Sequence, residues 1–196
     1  MVSNNMLYYN LYLDSPVYYY KLDHIKILAI KENLPLSSKL IKHIEDLQIK
    51  FIEFGIDFDQ SIDNLPICVE HIFFHPDSKF NKPLVNLPIN LKTLILGNGY
   101  WKTMEYLPCS LLFLGYHKFL TSFREKYNNG LTLDDVMNTS LPNLLYISIP
   151  NHLCVALEFT SNIYKNKIMK VSSEPFWTFL NFIKEKYFLD YFMVYG

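Results

Sequence analysis

The sequence predicts an α/β fold in which short repeats, each contributing one β-strand, stack into a solenoid. One observation is a Leu-Pro pair that recurs along the chain, at Leu65-Pro66, Leu87-Pro88, Leu107-Pro108 and Leu141-Pro142. Another is that the first two pairs lead into an apolar residue, two variable residues and an apolar-x-apolar triplet followed by His or Gly. Self-similarity at a period of roughly 20–25 residues is the sequence sign of a solenoid, whose units bury their apolar faces only by stacking.

The N-terminal region, residues 1–48, is predicted to be a β-containing cap with one short helix. Residues 6–30 are aromatic and β-branched, and Asp14-Ser15-Pro16 divides their first part into two strands. Ile25 to Ile30 forms a third strand. Ser37 or Ser38 then caps a helix over residues 37–47, in which apolar residues recur at helical spacing.

The repeats are predicted to occupy residues 49–160, with an insert at about 124–140. Their strands are marked by four apolar triplets, Ile52-x-Phe54, Ile72-x-Phe74, Leu94-x-Leu96 and Leu112-x-Leu114. The starts of these triplets lie 20, 22 and 18 residues apart, so the fourth unit is expected to lack two residues before its strand. Alternation of apolar and variable positions is typical of a strand with one buried face.

A second shared element follows each strand and begins with an aromatic residue. Its copies begin at Phe58, Phe80 and Tyr100, with a fainter copy at Phe119. Because each occupies the same place in its unit, we expect these four rings to form a buried stack along the solenoid. Asp59 and Asn81 follow the first two rings, and their side chains are expected to bond turn backbone.

This pattern resembles the FNIP repeat, named for a Phe-Asn-x-Pro-Ile core and known mainly from amoebal and giant-virus proteins. The segment that matches best is Phe80-Asn81-Lys82-Pro83-Leu84, followed by Leu87-Pro88. The resemblance covers about residues 49–123 and implies a short leucine-rich-repeat-like solenoid with a parallel sheet on one side. It implies no activity. Relatives often carry an F-box ahead of the repeats, but residues 1–48 contain no convincing F-box.

The C-terminal region, residues 161–196, is predicted to contain an aromatic helix from Glu174 to Val194. Its apolar side chains leave only a narrow polar stripe, so the helix should be buried on more than one side. A cap over the last repeat fits this pattern, since solenoid ends must be closed. The alternative is insertion into a membrane surface, which usually needs more basic residues than Lys184 and Lys186.

Composition and cysteine usage limit the function classes. Half of the 196 residues are hydrophobic, and the formal net charge of -1 argues against a nucleic-acid partner, which needs a basic stripe. Three cysteines without CxxC spacing, Cys68, Cys109 and Cys154, favour reduced buried thiols over disulfides or zinc. With no signal peptide or membrane-spanning run evident, we expect an intracellular, cytoplasmic protein without a membrane partner.

No motif predicts a catalytic residue, a metal site or a cofactor. His71 and His75 have the i,i+4 spacing of a helical metal pair, but they fall in and just after a strand, and a third ligand is missing. His75 aligns with Gly55 and Gly97 of the neighbouring units, so it is interpreted as a turn residue. Glu45-Asp46 and Asp134-Asp135 are explained by helix-end electrostatics.

The candidate site is the side of the sheet that the pleat directs away from the predicted core. Stacking should form two rows of candidate partner-binding residues, Phe51, His71 and Thr93 in one row and Glu53, Phe73 and Ile95 in the other. Exposed apolar patches tend to mark partner sites. The alternative is that the N-terminal region or the insert covers this side of the sheet and buries it.

These observations predict a non-catalytic protein–protein interaction module that binds through the sheet. One alternative is an enzyme with a site in the N-terminal or insert region, although no nucleophile, metal or phosphate motif supports it. Another is a structural component of a larger assembly, for example a viral particle.

Overall fold

The structure is a computed structural model. It describes residues 6–8, 17–22, 25–97, 99–100, 102, 104, 106–116, 141–150 and 168–171. Phe119, Cys154, the predicted insert and the predicted helix from Glu174 to Val194 therefore lie outside the described residues. The limits of the three predicted regions stay predictions.

The described strands form one nine-stranded sheet whose spatial order is the order of the chain. The strands are β1 (Met6–Tyr8), β2 (Val17–Leu22), β3 (Ile25–Ile30), β4 (Phe51–Phe54), β5 (His71–Phe74), β6 (Thr93–Leu96), β7 (Phe113–Tyr116), β8 (Tyr146–Pro150) and β9 (Ile168–Val171). The first three are antiparallel neighbours, and from β3 to β9 every pair is parallel. The expected stack of one-strand units is therefore present, and it already includes β3.

A short helix, α1 (Ser38–Asp46), connects β3 to β4. Ser37 caps it, because its side chain accepts a hydrogen bond from the backbone N–H of Leu40 at 3.2 Å. Leu40 and Ile44 are buried, as the apolar spacing predicted. Gln48, with a φ of 53°, turns the chain from the helix towards β4.

The predicted register is confirmed for the first three triplets and wrong for the fourth. Ile52 pairs with Ile72 and Ile72 with Leu94, but Leu94 pairs with Leu114 rather than with Leu112. The fourth unit has its full length before its strand. Leu111 occupies the same place as Leu91, because each is buried and lies three residues after the proline of its unit. The extra length lies instead in the second unit, between β5 and Phe80.

The main core lies on one side of the sheet and is built from equivalent positions of successive units. We call this set the first core; it includes Ile52, Phe54, Phe58, Ile62, Val69, Ile72, Phe74, Phe80, Leu84, Leu91, Leu94, Leu96, Tyr100, Met104, Leu107, Leu111 and Leu114. The leucines of the Leu-Pro pairs lie in the turns and pack against this core. Burial of this kind contributes about 25 cal/mol per Å² of apolar surface.

The expected aromatic stack is confirmed for the three rings that the structure describes. The ring centroids of Phe58 and Phe80 are 6.4 Å apart, and those of Phe80 and Tyr100 are 5.8 Å apart. Phe74 lies against the same ring of Phe80 at 4.2 Å. Phe80 is thus the central contact of the stack.

Polar side chains connect the units next to this stack. The Asn33 side-chain oxygen accepts from the Asp59 backbone N–H at 2.9 Å, and Asp59 accepts from the Asn81 N–H at 2.8 Å. The side chain of Asp59 therefore bonds the next unit and not its own turn.

Gly97 allows its backbone to approach that of the preceding unit closely, because a Cβ there would lie 2.4 Å from the His75 carbonyl oxygen.

Phe80→Ala should lower the free energy of unfolding by roughly 3–5 kcal/mol, because it removes a buried ring and leaves a cavity. Val85→Ala is the matched control, since Val85 lies in the same unit but is exposed. Urea denaturation followed by circular dichroism measures both variants. A loss below about 1 kcal/mol for Phe80→Ala would contradict the buried stack.

Candidate functional site

The two predicted rows of candidate residues are present on the side of the sheet opposite the first core. Phe51, His71 and Thr93 are neighbours in successive strands, and so are Glu53, Phe73 and Ile95. In β7 the first row continues with Phe113 and the second with Gly115. We call these eight residues the second face.

The sequence left open whether the second face is exposed or covered, and in the structure it is largely buried. Phe73 and Ile95 keep only 4% and 2% of their surface, and Phe51 and Thr93 are buried as well. Glu53 and His71 are partly buried. Parallel strands that are covered on both faces have nearly continuous apolar sequences, and β4, β5 and β6 read Phe-Ile-Glu-Phe, His-Ile-Phe-Phe and Thr-Leu-Ile-Leu. The nearly continuous apolar character of these strands could therefore have predicted from the sequence that both of their faces are buried.

His71 is held in the middle of the second face by two contacts. Its ring stacks on the ring of Phe51, with centroids 4.2 Å apart and planes 11° from parallel. Its Nδ1 lies 3.1 Å from Thr93 Oγ1, within hydrogen-bond distance. Burial lowers the pKa of His71 to about 4; the charge of Glu70 raises that pKa, and those of Lys92 and Lys50 lower it. The imidazole is therefore neutral at pH 7.

A different set of apolar side chains is exposed, at the tips of the turns that follow the Leu-Pro pairs. Ile67 and Ile89 occupy equivalent places in consecutive units and keep 65% and 67% of their surface. We call this pair, with the equivalent Cys109 of the next unit, the tip row. This row was not predicted from the sequence, although each of its residues directly follows a Leu-Pro pair.

The turns that present the tip row are held by hydrogen bonds within and between them. Within the turns, the N–H of Val69 donates to the Pro66 carbonyl and that of Leu91 to the Pro88 carbonyl, both at 3.0 Å. Between the turns, Asn90 Nδ2 donates to the Ile67 carbonyl at 3.2 Å. The exposed side chains therefore project from a preformed framework.

A charged row follows the tip row in the chain, with Glu70 three residues after Ile67 and Lys92 three residues after Ile89. Lys50 lies 2.6 Å from one carboxylate oxygen of Glu70, and Lys92 contacts the other. Partial burial opposes the charge of Glu70, but the hydrogen bonds from the two lysines prevail and hold its pKa below the usual value. Signs alternate along the stack, so that no like charges are adjacent.

The other reactive side chains that the structure describes are not brought together. Nδ1 of His75 accepts a hydrogen bond from the Asp77 N–H at 3.1 Å in the turn after β5. His71 instead contacts Thr93, so the two histidines have different partners. Cys68 and Cys109 are free thiols, and burial raises the pKa of Cys68. Within the described ranges, no group of three or more His, Cys, Asp or Glu side chains could hold a metal ion. Nor does that part of the chain contain a helix with the length and hydropathy of a bilayer span.

Comparison with known proteins adds two similarities. The chain is 38% identical over 82 residues to a FNIP repeat-containing protein of Dictyostelium discoideum, and this match covers 41% of the chain and 22% of that protein. The fold is similar to the crystal structure of CroV588, described as a novel circular LRR protein, with a TM-score of 0.52 and 27% identity. That match covers 66% of this chain and 18% of the other. No family model matches the sequence.

These similarities confirm the resemblance to FNIP repeats and the leucine-rich-repeat-like fold that it implied. The chain spans about a fifth of the length of each of these two proteins. Neither name states a ligand, a substrate or a partner. The role of the six predicted partner-binding residues stays a prediction.

The double change Phe73→Ser, Ile95→Ser should unfold the protein, whereas exposure of these residues would have left it folded. Each truncation of a large buried side chain costs about 2–5 kcal/mol, and the total stability of a domain is about 5–15 kcal/mol. Urea denaturation checks this outcome. The matched control is Leu34→Ser, Ile56→Ser, which changes two exposed apolar residues. Equal stability of the two double variants would show that the second face is open to water.

Proposed function

We propose that this chain is a non-catalytic protein-recognition module that binds a protein partner through the tip row. The observation that carries the proposal is the exposure of Ile67 and Ile89 at equivalent places in consecutive units. Full burial of a large aliphatic side chain contributes about 1.5–3 kcal/mol, so a partner that covers these two isoleucines would gain up to that amount from each. Solenoids of short repeats characteristically bind through such repeated surfaces.

The rigidity of the turns supports this choice of surface. Proline precedes each exposed isoleucine, and backbone hydrogen bonds fix both turns before any partner arrives. A preorganised surface loses little conformational freedom on binding, so more of the contact energy appears as affinity. The adjacent row of Lys50, Glu70 and Lys92 supplies the polar border that is usual around an apolar centre of an interface.

Binding through the second face, which the sequence predicted, is the competing proposal. It would require removal of whatever covers Phe51, Phe73, Thr93 and Ile95. Opening a buried apolar surface costs free energy that the partner must supply, which lowers the apparent affinity. For this reason the tip row is the better-supported surface.

Among the described residues, one contact bears on the enzyme alternative. His71 and Thr93 form an imidazole–hydroxyl pair at 3.1 Å, the arrangement of a base and a nucleophile. However, Thr93 is 1% exposed, so a substrate could not reach its hydroxyl. An imidazole with a pKa of about 4 is also a poor base at pH 7. The contact is better explained as packing.

The change Ile67→Ser, Ile89→Ser should weaken partner capture by thirtyfold or more, since loss of central apolar anchors typically costs about 2 kcal/mol. Its fold should stay intact, because substitutions of exposed residues usually change stability by about 0.5 kcal/mol or less. Quantitative affinity capture from a native extract, followed by mass spectrometry, measures the first effect. Circular dichroism measures the second.

The control is again Leu34→Ser, Ile56→Ser, which replaces two exposed apolar side chains after β3 and β4 that keep 38% and 42% of their surface. It should leave capture unchanged. If the tip-row variant still captures the same proteins as the wild type, the recognition surface lies elsewhere. If both double variants lose capture equally, the binding is non-specific hydrophobic adsorption and the proposal fails.

A further inference from the structure

His71 is an ionisable side chain of the second face whose charged form is poorly accommodated there. His71 stacks on Phe51 and has Phe73 as a further ring neighbour, at a centroid distance of 6.5 Å. The neutral ring suits these apolar neighbours. The residues beside it in its row, Phe51 and Thr93, are both buried.

Protonation would create a donor that the described neighbours do not satisfy. Both nitrogens of an imidazolium ion are donors, and Thr93 Oγ1 can accept from Nδ1 alone. Within the described part of the chain, Nε2 has no hydrogen-bond partner. His71 is partly buried between buried neighbours, where an unsatisfied donor and an unpaired charge both cost free energy.

The surrounding charges do not compensate for this cost. Glu70 attracts a positive charge on His71. However, its two carboxylate oxygens already contact Lys50 and Lys92, and the charges of these lysines repel a positive charge on His71. Glu53 lies on the same face but in the other row, opposite Phe73. Attraction of the cation to the face of Phe51 favours protonation, whereas burial, the first-ranked influence on the pKa of His71, opposes it.

We propose that His71 is an acid-sensitive switch in this fold, whose protonation in mildly acidic solution destabilises the packed second face and with it the repeat stack. The direction of the pH effect follows from the difference in the pKa of His71 between the folded and the unfolded chain. Burial holds the pKa of His71 near 4 in the folded chain, below the value of about 6.5 in an unfolded chain. The unfolded chain therefore takes up a proton more readily between these values. The stabilisation is complete above pH 6.5 and is lost as the pH falls towards 4.

The test compares pH profiles of unfolding for the wild type and for His71→Phe. Phenylalanine keeps a flat ring to stack on Phe51 but cannot take up a proton. In urea titrations between pH 7 and pH 4.5, the unfolding constant of the wild type should rise roughly 60-fold more than that of His71→Phe. Taking the difference between the two proteins cancels the carboxylates that titrate in both.

His75→Gln is the matched control, because it removes a histidine four residues away that lies in a turn. Its profile should follow that of the wild type. An NMR titration of the imidazole protons in the wild type gives a second measurement, which does not depend on a variant that folds. The expected midpoint for His71 is near 4.

Two results would overturn the proposal: equal profiles for the wild type and His71→Phe, or an NMR midpoint near 6.5. Neither measurement involves a partner, so the outcome is independent of whether the tip row binds one.

Discussion

In-register stacking of parallel strands is the constraint on which the rest of this structure depends. Because each strand pairs residue for residue with the next, every side chain meets its equivalent in the neighbouring unit. Apolar positions therefore join into continuous layers, and the aromatic positions join into a stack. Charged positions must alternate in sign or repel one another, as Lys50, Glu70 and Lys92 illustrate. One geometric rule thus determines which substitutions a unit tolerates.

The same rule explains which parts of the fold could be predicted from the sequence. Triplets with a shared spacing predict the pairing of Ile52 with Ile72 and of Ile72 with Leu94, because register requires like positions to meet. The fourth pairing was predicted wrongly because Leu112 and Leu114 both suit an apolar triplet. The distance from the proline, three residues to Leu111 as to Leu91, would have been the better guide. Turn geometry limits that distance more strictly than apolar character limits the strand.

The candidate site was less predictable, since exposure depends on what packs against a surface. Alternation correctly assigns Phe73 and Ile95 to the side away from the first core, but it does not say whether that side meets water. Conversely, Ile67 and Ile89 lie among buried leucines in the sequence, and only the direction of their turns makes them exposed. Sequence periodicity reports the faces of strands well and the tips of turns poorly.

Burial on both sides of the sheet also determines where recognition can occur. A sheet covered on one side could use the other for binding, whereas β4 to β6 are largely buried on both sides, which leaves the turns as the exposed surfaces of these units. The turns suit this role because a stack fixes their spacing: adjacent strands are about 4.8 Å apart, so equivalent tip residues form a regular row. A partner matched to that spacing would gain contacts with each unit that it crosses. Mutations within the sheet would then alter stability, and mutations at the turn tips would alter specificity, so that the two properties could change independently.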